Sequence, residues 1–170
     1  MDLEQFTSKI PQSYSEADRE QIRKAYQFAE KIHAGQTRAN GQPYLVHCVG
    51  VAQILMGMEV APSMVIAGML HDSELDGNVS VEEIQQAFGD VVAGFVDDLT
   101  RITALPQISR GDQHPDERVP LPASSLEEET HLSASETETL RKMLLAIGDD
   151  VRVVIIKLAD RLYNMRTLSS

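Results

Sequence analysis

Two neighbouring segments, "YLVHCVGVAQILMGM" (44–58) and "SMVIAGMLHDSEL" (63–75), are apolar on nearly every side. A helix with no polar face is buried, so both belong inside the molecule. Pro43 and Pro62 suit their first turns, since proline lacks the N–H that a helix start leaves unpaired. Most of the remaining chain also reads as helix. Ser15 and Asp18 resemble a capping box ahead of Ile22, Ala25, Tyr26, Ala29 and Ile32, which recur at helical spacing up to Gly35. Ser80 and Glu83 cap a short helix ending near Phe88, and "DVVAGFVDDLTRI" supplies another. The fold class is therefore all-α.

The later part of the chain divides in two. From about Ala104 to Ser135 periodicity disappears, and Pro106, Pro115, Pro120 and Pro122 fall among an acidic cluster at Glu127–Glu129. This stretch reads as a long mobile loop. Ser135 then caps "SETETLRKMLLAIGDD" as a helix. "VRVVIIKLADRLYNMRTL" begins like a strand, with β-branched residues, yet its length and lack of Gly or Pro favour a helix.

A net charge of -11 argues against a nucleic-acid-binding surface or an anionic membrane partner. Charge is uneven, and the segment from Thr139 to Ser170 is locally basic, leaving room for a small anionic ligand. Cys48 is the single cysteine and reads as a small buried hydrophobe, which excludes a disulfide framework and a cysteine zinc cluster. The chain has no signal peptide and no apolar run of membrane-spanning length, so a cytoplasmic location is expected.

Against this background four polar residues stand out. His47 lies near the start of one apolar helix, His71 and Asp72 lie late in the other, and Asp160 follows "VVIIKLA". Buried acids and imidazoles are costly unless paired, protonated or bound to metal. Two imidazoles and two carboxylates suit manganese, iron or zinc, with positions left open for water or substrate. Each residue also has a plainer reading. His47 alone suits a core or helix-end histidine, and Asp160, between Lys157 and Arg161, suits a solvated helix face.

In order along the chain, "GQTRANGQPYLVH", "AGMLHD" and "KLADRLYNMRTL" resemble the hydrolase domain of the RelA/SpoT family, an all-helical member of the HD phosphohydrolase superfamily. "EEIQQAFGDVVAGFVDDLTRI" and "LRKMLLAIGDDVRVVIIKLADRL" extend the match to about residues 15–168, the proline-rich loop excepted. The resemblance implies one HD-type domain over residues 1–170, with metal-dependent removal of pyrophosphate from the alarmones ppGpp and pppGpp. By matching position, His47, His71, Asp72 and Asp160 would hold one manganese ion. Arg38 would stack on guanine, with Ala39 and Asn40 beside the base, and Asn164 and Thr167 would touch the nucleotide. Asp160, Asn164 and Thr167 are spaced to share one helical face.

The chain departs from the family in "HDSELDG". Asp76 matches one of two acids to which the family assigns catalytic work, but Leu75 replaces the other, a glutamate, and Glu74 lies one position earlier. The expected catalytic group is thus Asp76 with Glu74 and Asn164, and hydrolysis weakened by Leu75. Ala39 stands where the family often carries a lysine. Two rivals stay open: a degenerate regulatory domain that binds metal or nucleotide, and an HD phosphohydrolase of another nucleotide. "RKMLLAI" and "NMRTL" look like the long members of the family, so the chain is expected to be an N-terminal fragment followed by a synthetase domain.

Overall fold

The computed structural model describes residues 2–38, 41–73, 79–103 and 150–167. These form seven helices: α1 (Leu3–Thr7), α2 (Glu16–Ile32), α3 (Tyr44–Gly57), α4 (Pro62–Leu70), α5 (Val81–Phe88), α6 (Asp90–Thr103) and α7 (Val151–Thr167). Among the described residues there is no strand, only an isolated bridge between Thr37 and Pro43. No described helix is long and apolar enough to cross a membrane. The expected loop at 104–135 and the helix expected after it lie, as far as residue 149, outside the described residues, and Asp150, where that helix was expected to end, is not helical.

α4 is the axis of the fold. It packs against α2, α3, α6 and α7, and every residue from Met64 to Leu70 is buried. Enclosure on all sides explains a sequence without a polar face. α3 lies between α2, α4 and α7, and buries Cys48, Val51, Ala52 and Leu55 completely. The outer helices carry the polar faces and the local start signals. Ser15 and Asp18 form the expected capping box on α2, and Ser80 and Glu83 form the other on α5. α7, the ambiguous segment, is one continuous helix.

Three details differ from the sequence expectation. Pro43 sits just before α3 with extended ψ of 137°, so the helix starts at Tyr44. α4 stops at Leu70 and does not continue to Leu75. The His71 ring Nδ1 lies 2.9 Å from the Gly68 carbonyl, and Ser73 N–H bonds Leu70 O at 3.0 Å, tightening the chain into a turn. α1 gives only a single turn's worth of sequence signal. Its Phe6 is fully buried against Tyr26 of α2, with ring centroids 5.0 Å apart.

Two glycines permit the close approach of helices around α3. A Cβ on Gly68 would lie 2.3 Å from the Leu55 side chain, and one on Gly50 would lie 1.9 Å from the Tyr163 ring. The Gly50 gap lets α7 settle on α3, bringing residue 160 next to residues 47 and 71.

Candidate metal centre

Three helices converge on one point. His47 comes from the first turns of α3, His71 from the end of α4 and Asp160 from the middle of α7. All three are buried, at 2%, 3% and 6% exposure, so the solvated-face reading of Asp160 does not hold. Asp72 follows His71 in the turn, with a side chain 14% exposed. The C-terminal end of α4 carries partial negative charge, and its Gly68 carbonyl faces the His71 ring.

The inward atoms are closely spaced. His47 Nε2 and His71 Nε2 are 3.3 Å apart. His71 Nε2 lies 3.0 Å from Asp72 Oδ2 and 3.7 Å from Asp160 Oδ1, and His47 Nε2 lies 3.6 Å and 3.5 Å from the same two oxygens. Ligands about 2.1 Å from one ion are separated by about 3.0 Å at right angles and about 3.4 Å in a tetrahedron, by simple geometry from metal–ligand lengths. The observed separations, 3.0 to 3.7 Å, cover that range and extend slightly beyond it. His47, His71 and Asp160 form the tight group, each ligand atom within 4.8 Å of the others. Asp72 joins through the imidazoles. The donor set fits a divalent cation.

The electrostatics agree. A carbonyl can only accept, so His71 Nδ1 carries the proton toward Gly68, and a neutral ring turns its Nε2 lone pair inward. Burial alone would lower the His71 pKa, but the Asp72 and Asp160 carboxylates raise it to about 10. The cluster thus favours a positive charge at its centre, which a proton supplies when no metal does. Burial, helped by His71 and Arg38, lowers the His47 pKa against the pull of Asp72. Burial works to raise both carboxyls, yet the histidines hold Asp72 well below the usual range and His71 keeps Asp160 low.

A second layer holds these side chains in place. The Tyr44 hydroxyl donates to Asp72 Oδ2 at 2.7 Å, and its ring stacks on the buried His33 at 4.7 Å between centroids. Lys157 Nζ lies 3.0 Å from Asp160 Oδ2. The Tyr163 ring meets His47 edge to face at 5.2 Å. Sequence reasoning gave Tyr44 and Tyr163 no role at the site and read Lys157 only as a neighbour on a solvated face. A signal was available for two of them: Tyr44 and Lys157 each lie three residues before a ligand-type residue, one helical turn away.

Of the residues expected to touch a nucleotide, Arg38 and Asn164 meet. Arg38 sits in a pinched loop where its N–H bonds Gln42 O at 2.9 Å and Gly41 N–H bonds Arg38 O at 2.8 Å, with Gly41 at φ +79°. Its guanidinium donates to Asn164 Oδ1 at 2.9 Å, and Asn164 Nδ2 donates to Asp160 Oδ1 at 2.9 Å. The Asn164 amide therefore links the loop to the cluster. Thr167 is one turn further along α7, its hydroxyl directed at the Tyr163 and Asn164 carbonyls. Ala39, Asn40, Glu74, Leu75 and Asp76 lie outside the described residues.

Comparison with known proteins agrees with this architecture. The HD domain family matches residues 25–170. A GTP pyrophosphokinase of Streptomyces antibioticus is 39% identical over 148 residues, which is 87% of this chain and 15% of that protein. A GTP pyrophosphokinase of Myxococcus xanthus is 35% identical across 94% of this chain and 18% of its own length. The GTP pyrophosphokinase rsh of Brucella ovis is 37% identical across 86% of this chain and 17% of its own. The chain spans less than a fifth of the length of these curated relatives. With its helices, its histidine–aspartate pair and this match, the chain belongs to the HD domain family, in the form shared with RelA/SpoT proteins.

Proposed function

We propose that this chain is a metal-dependent phosphohydrolase domain that removes pyrophosphate from the ribose 3′ position of ppGpp and pppGpp, releasing GDP or GTP. The observation that carries the reading is the cluster of His47, His71, Asp72 and Asp160, spaced as ligands of one ion and joined through Asn164 to Arg38. The relatives are named as pyrophosphokinases, so hydrolysis rests on the HD cluster and the motif resemblance, not on those names.

In this reading the four side chains would hold one Mn2+. Such an ion makes water nucleophilic near neutral pH and offsets charge on phosphoryl oxygens. Arg38 presents a planar guanidinium that stacks on the purine, a task an ammonium cannot perform. Ala39 and Asn40 flank the base, and Asn164 and Thr167 contact the nucleotide along one face of α7. Asp76 and Glu74 accept the proton of the attacking water. Leu75 can neither accept a proton nor polarise a water, which lowers the rate without disturbing the metal ligands. In this reading the domain works in the cytoplasm and belongs to a longer protein with an alarmone synthetase region; the second part is supported by relatives named GTP pyrophosphokinase that are more than five times as long as the matched segment.

Leu75 also favours a second reading, in which the domain binds metal or nucleotide and regulates a synthetase without turnover. Incubating the purified domain with ppGpp and Mn2+ separates the two. Hydrolysis predicts pyrophosphate release, increased about tenfold or more by Leu75→Glu, because a general base contributes about 10²–10⁴ in rate. If neither the native chain nor a folded, metal-loaded Leu75→Glu protein releases pyrophosphate, the regulatory reading replaces the enzymatic one.

A further inference from the structure

Asp160 has a second oxygen that the imidazoles do not face. Oδ1 is the atom near His47 and His71, whereas Oδ2 accepts from Lys157 Nζ at 3.0 Å. The same ammonium donates to Thr103 Oγ1 of α6 at 3.1 Å. The Thr103 hydroxyl donates in turn to Leu99 O at 2.8 Å, which leaves its lone pairs facing the ammonium. The ammonium thus bridges the Asp160 carboxylate and the Thr103 hydroxyl, which is itself anchored on the α6 backbone. Side-chain exposure is 26% for Lys157 and 9% for Asp160, so this pair is more sheltered than a surface ion pair.

We propose that Lys157 is a positioning residue that restricts Asp160 to coordination through one oxygen and thereby selects the divalent ion the cluster accepts. The inference rests on the reading that the four clustered side chains hold a cation, and it involves no nucleotide. Oδ1 accepts from the neutral Asn164 amide and stays open to a cation, whereas Oδ2 is held by a positive charge that repels one. Ions satisfied by a mixed set of imidazole and single carboxylate oxygens, such as Mn2+, use the cluster as it stands. Ca2+ seeks about six to eight oxygen ligands and often takes both oxygens of a carboxylate. To grip Asp160 in that way it would have to displace Lys157 from Oδ2 and approach its positive charge. Lys157 therefore acts against calcium.

The test compares Mn2+ and Ca2+ binding to the full chain by calorimetric titration without nucleotide. Lys157→Met keeps the length of the stem and removes the ammonium. Loss of a positive charge strengthens binding of every divalent ion through a shared Coulomb factor, which cancels in the ratio of the two affinities. The Ca2+ to Mn2+ affinity ratio should rise about tenfold or more, in line with the effect of residues that orient metal ligands. Lys157→Arg should restore the native ratio, and Thr103→Val should shift it in the same direction as Lys157→Met by a smaller factor. An unchanged ratio in Lys157→Met, with Mn2+ still bound, overturns the proposal. Should that variant fail to fold, an unchanged ratio in Thr103→Val overturns it instead. A native chain that binds neither ion removes both this inference and the metal-dependent function. Selective Mn2+ binding with the expected ratio shifts, but no release of pyrophosphate from ppGpp, removes only the proposed hydrolysis.

Discussion

Gly50→Ala tests the packing that delivers Asp160 to the cluster. An added Cβ would stand 1.9 Å from the nearest Tyr163 ring carbon, and two more ring carbons would lie at 2.4 and 2.6 Å. Real contacts of this kind lie near about 3.5–4.0 Å, so the ring must move by well over an ångström. Tyr163 is only partly buried and can swing outward, which caps the cost. Overpacking of this type costs about 1–3 kcal/mol. Replacing glycine by alanine inside a helix contributes about 1 kcal/mol in the opposite direction. The net destabilisation should therefore reach up to about 2 kcal/mol, a fall in melting temperature of up to about 8 °C at roughly 2–4 °C per kcal/mol. Tyr163→Ala removes the obstacle, so in that background Gly50→Ala should be neutral or stabilising by up to about 1 kcal/mol. Thermal denaturation of the four proteins gives the coupling energy directly. The Mn2+-induced rise in melting temperature should also shrink in Gly50→Ala, because the ring rests on His47 and α7 carries Asp160. An equal effect of Gly50→Ala with and without the Tyr163 ring refutes the reasoning.

Saturating Mn2+ at about a hundred times its Kd should stabilise the domain by about 2.7 kcal/mol, and Asp72→Ala should abolish that gain; a variant that still responds fully removes Asp72 from the ligand set. In metal-free protein the raised His71 pKa gives stability that is fully present below about 6.5 and is lost as pH climbs toward about 10. The depressed Asp72 and Asp160 give stability present above about 3.8 and lost as pH falls through their folded values. Metal must displace the His71 proton, so the Mn2+-induced melting shift should grow from pH about 6.5 to about 8.5; a flat profile in scanning calorimetry contradicts the assigned protonation. Arg38→Lys keeps the charge but loses both the stacking plane and the fork that reaches Asn164, so guanosine nucleotide affinity should fall about fivefold or more, and equal affinity by titration would place the base elsewhere.

What the sequence determined by itself is local or nearly so. Apolar residues on every side of α3 and α4 already require burial, because no face of either helix can be left in water. The capping boxes at Ser15 and Ser80 were legible for the same reason: the hydrogen bonds that start a helix join residues three apart. The RelA/SpoT motifs carried the family, and with it the four ligand-type residues, although residue types alone left Asp160 between a solvated face and a buried ligand. Tertiary structure decided that question. Asp160 is buried because Gly50 admits Tyr163 and lets α7 lie on α3, a contact between positions far apart in the chain. It also decided where α4 ends, since the His71 ring reaches the Gly68 carbonyl while its other nitrogen faces Asp72 and Asp160, an arrangement periodicity does not encode. The roles of Tyr44 and Lys157 were hidden for a related reason. A tyrosine or lysine one turn before a ligand residue is common on any helix. Only the approach of α4 to α3, and of α6 to α7, shows Tyr44 reaching Asp72 and Thr103 directing Lys157 onto the outer oxygen of Asp160.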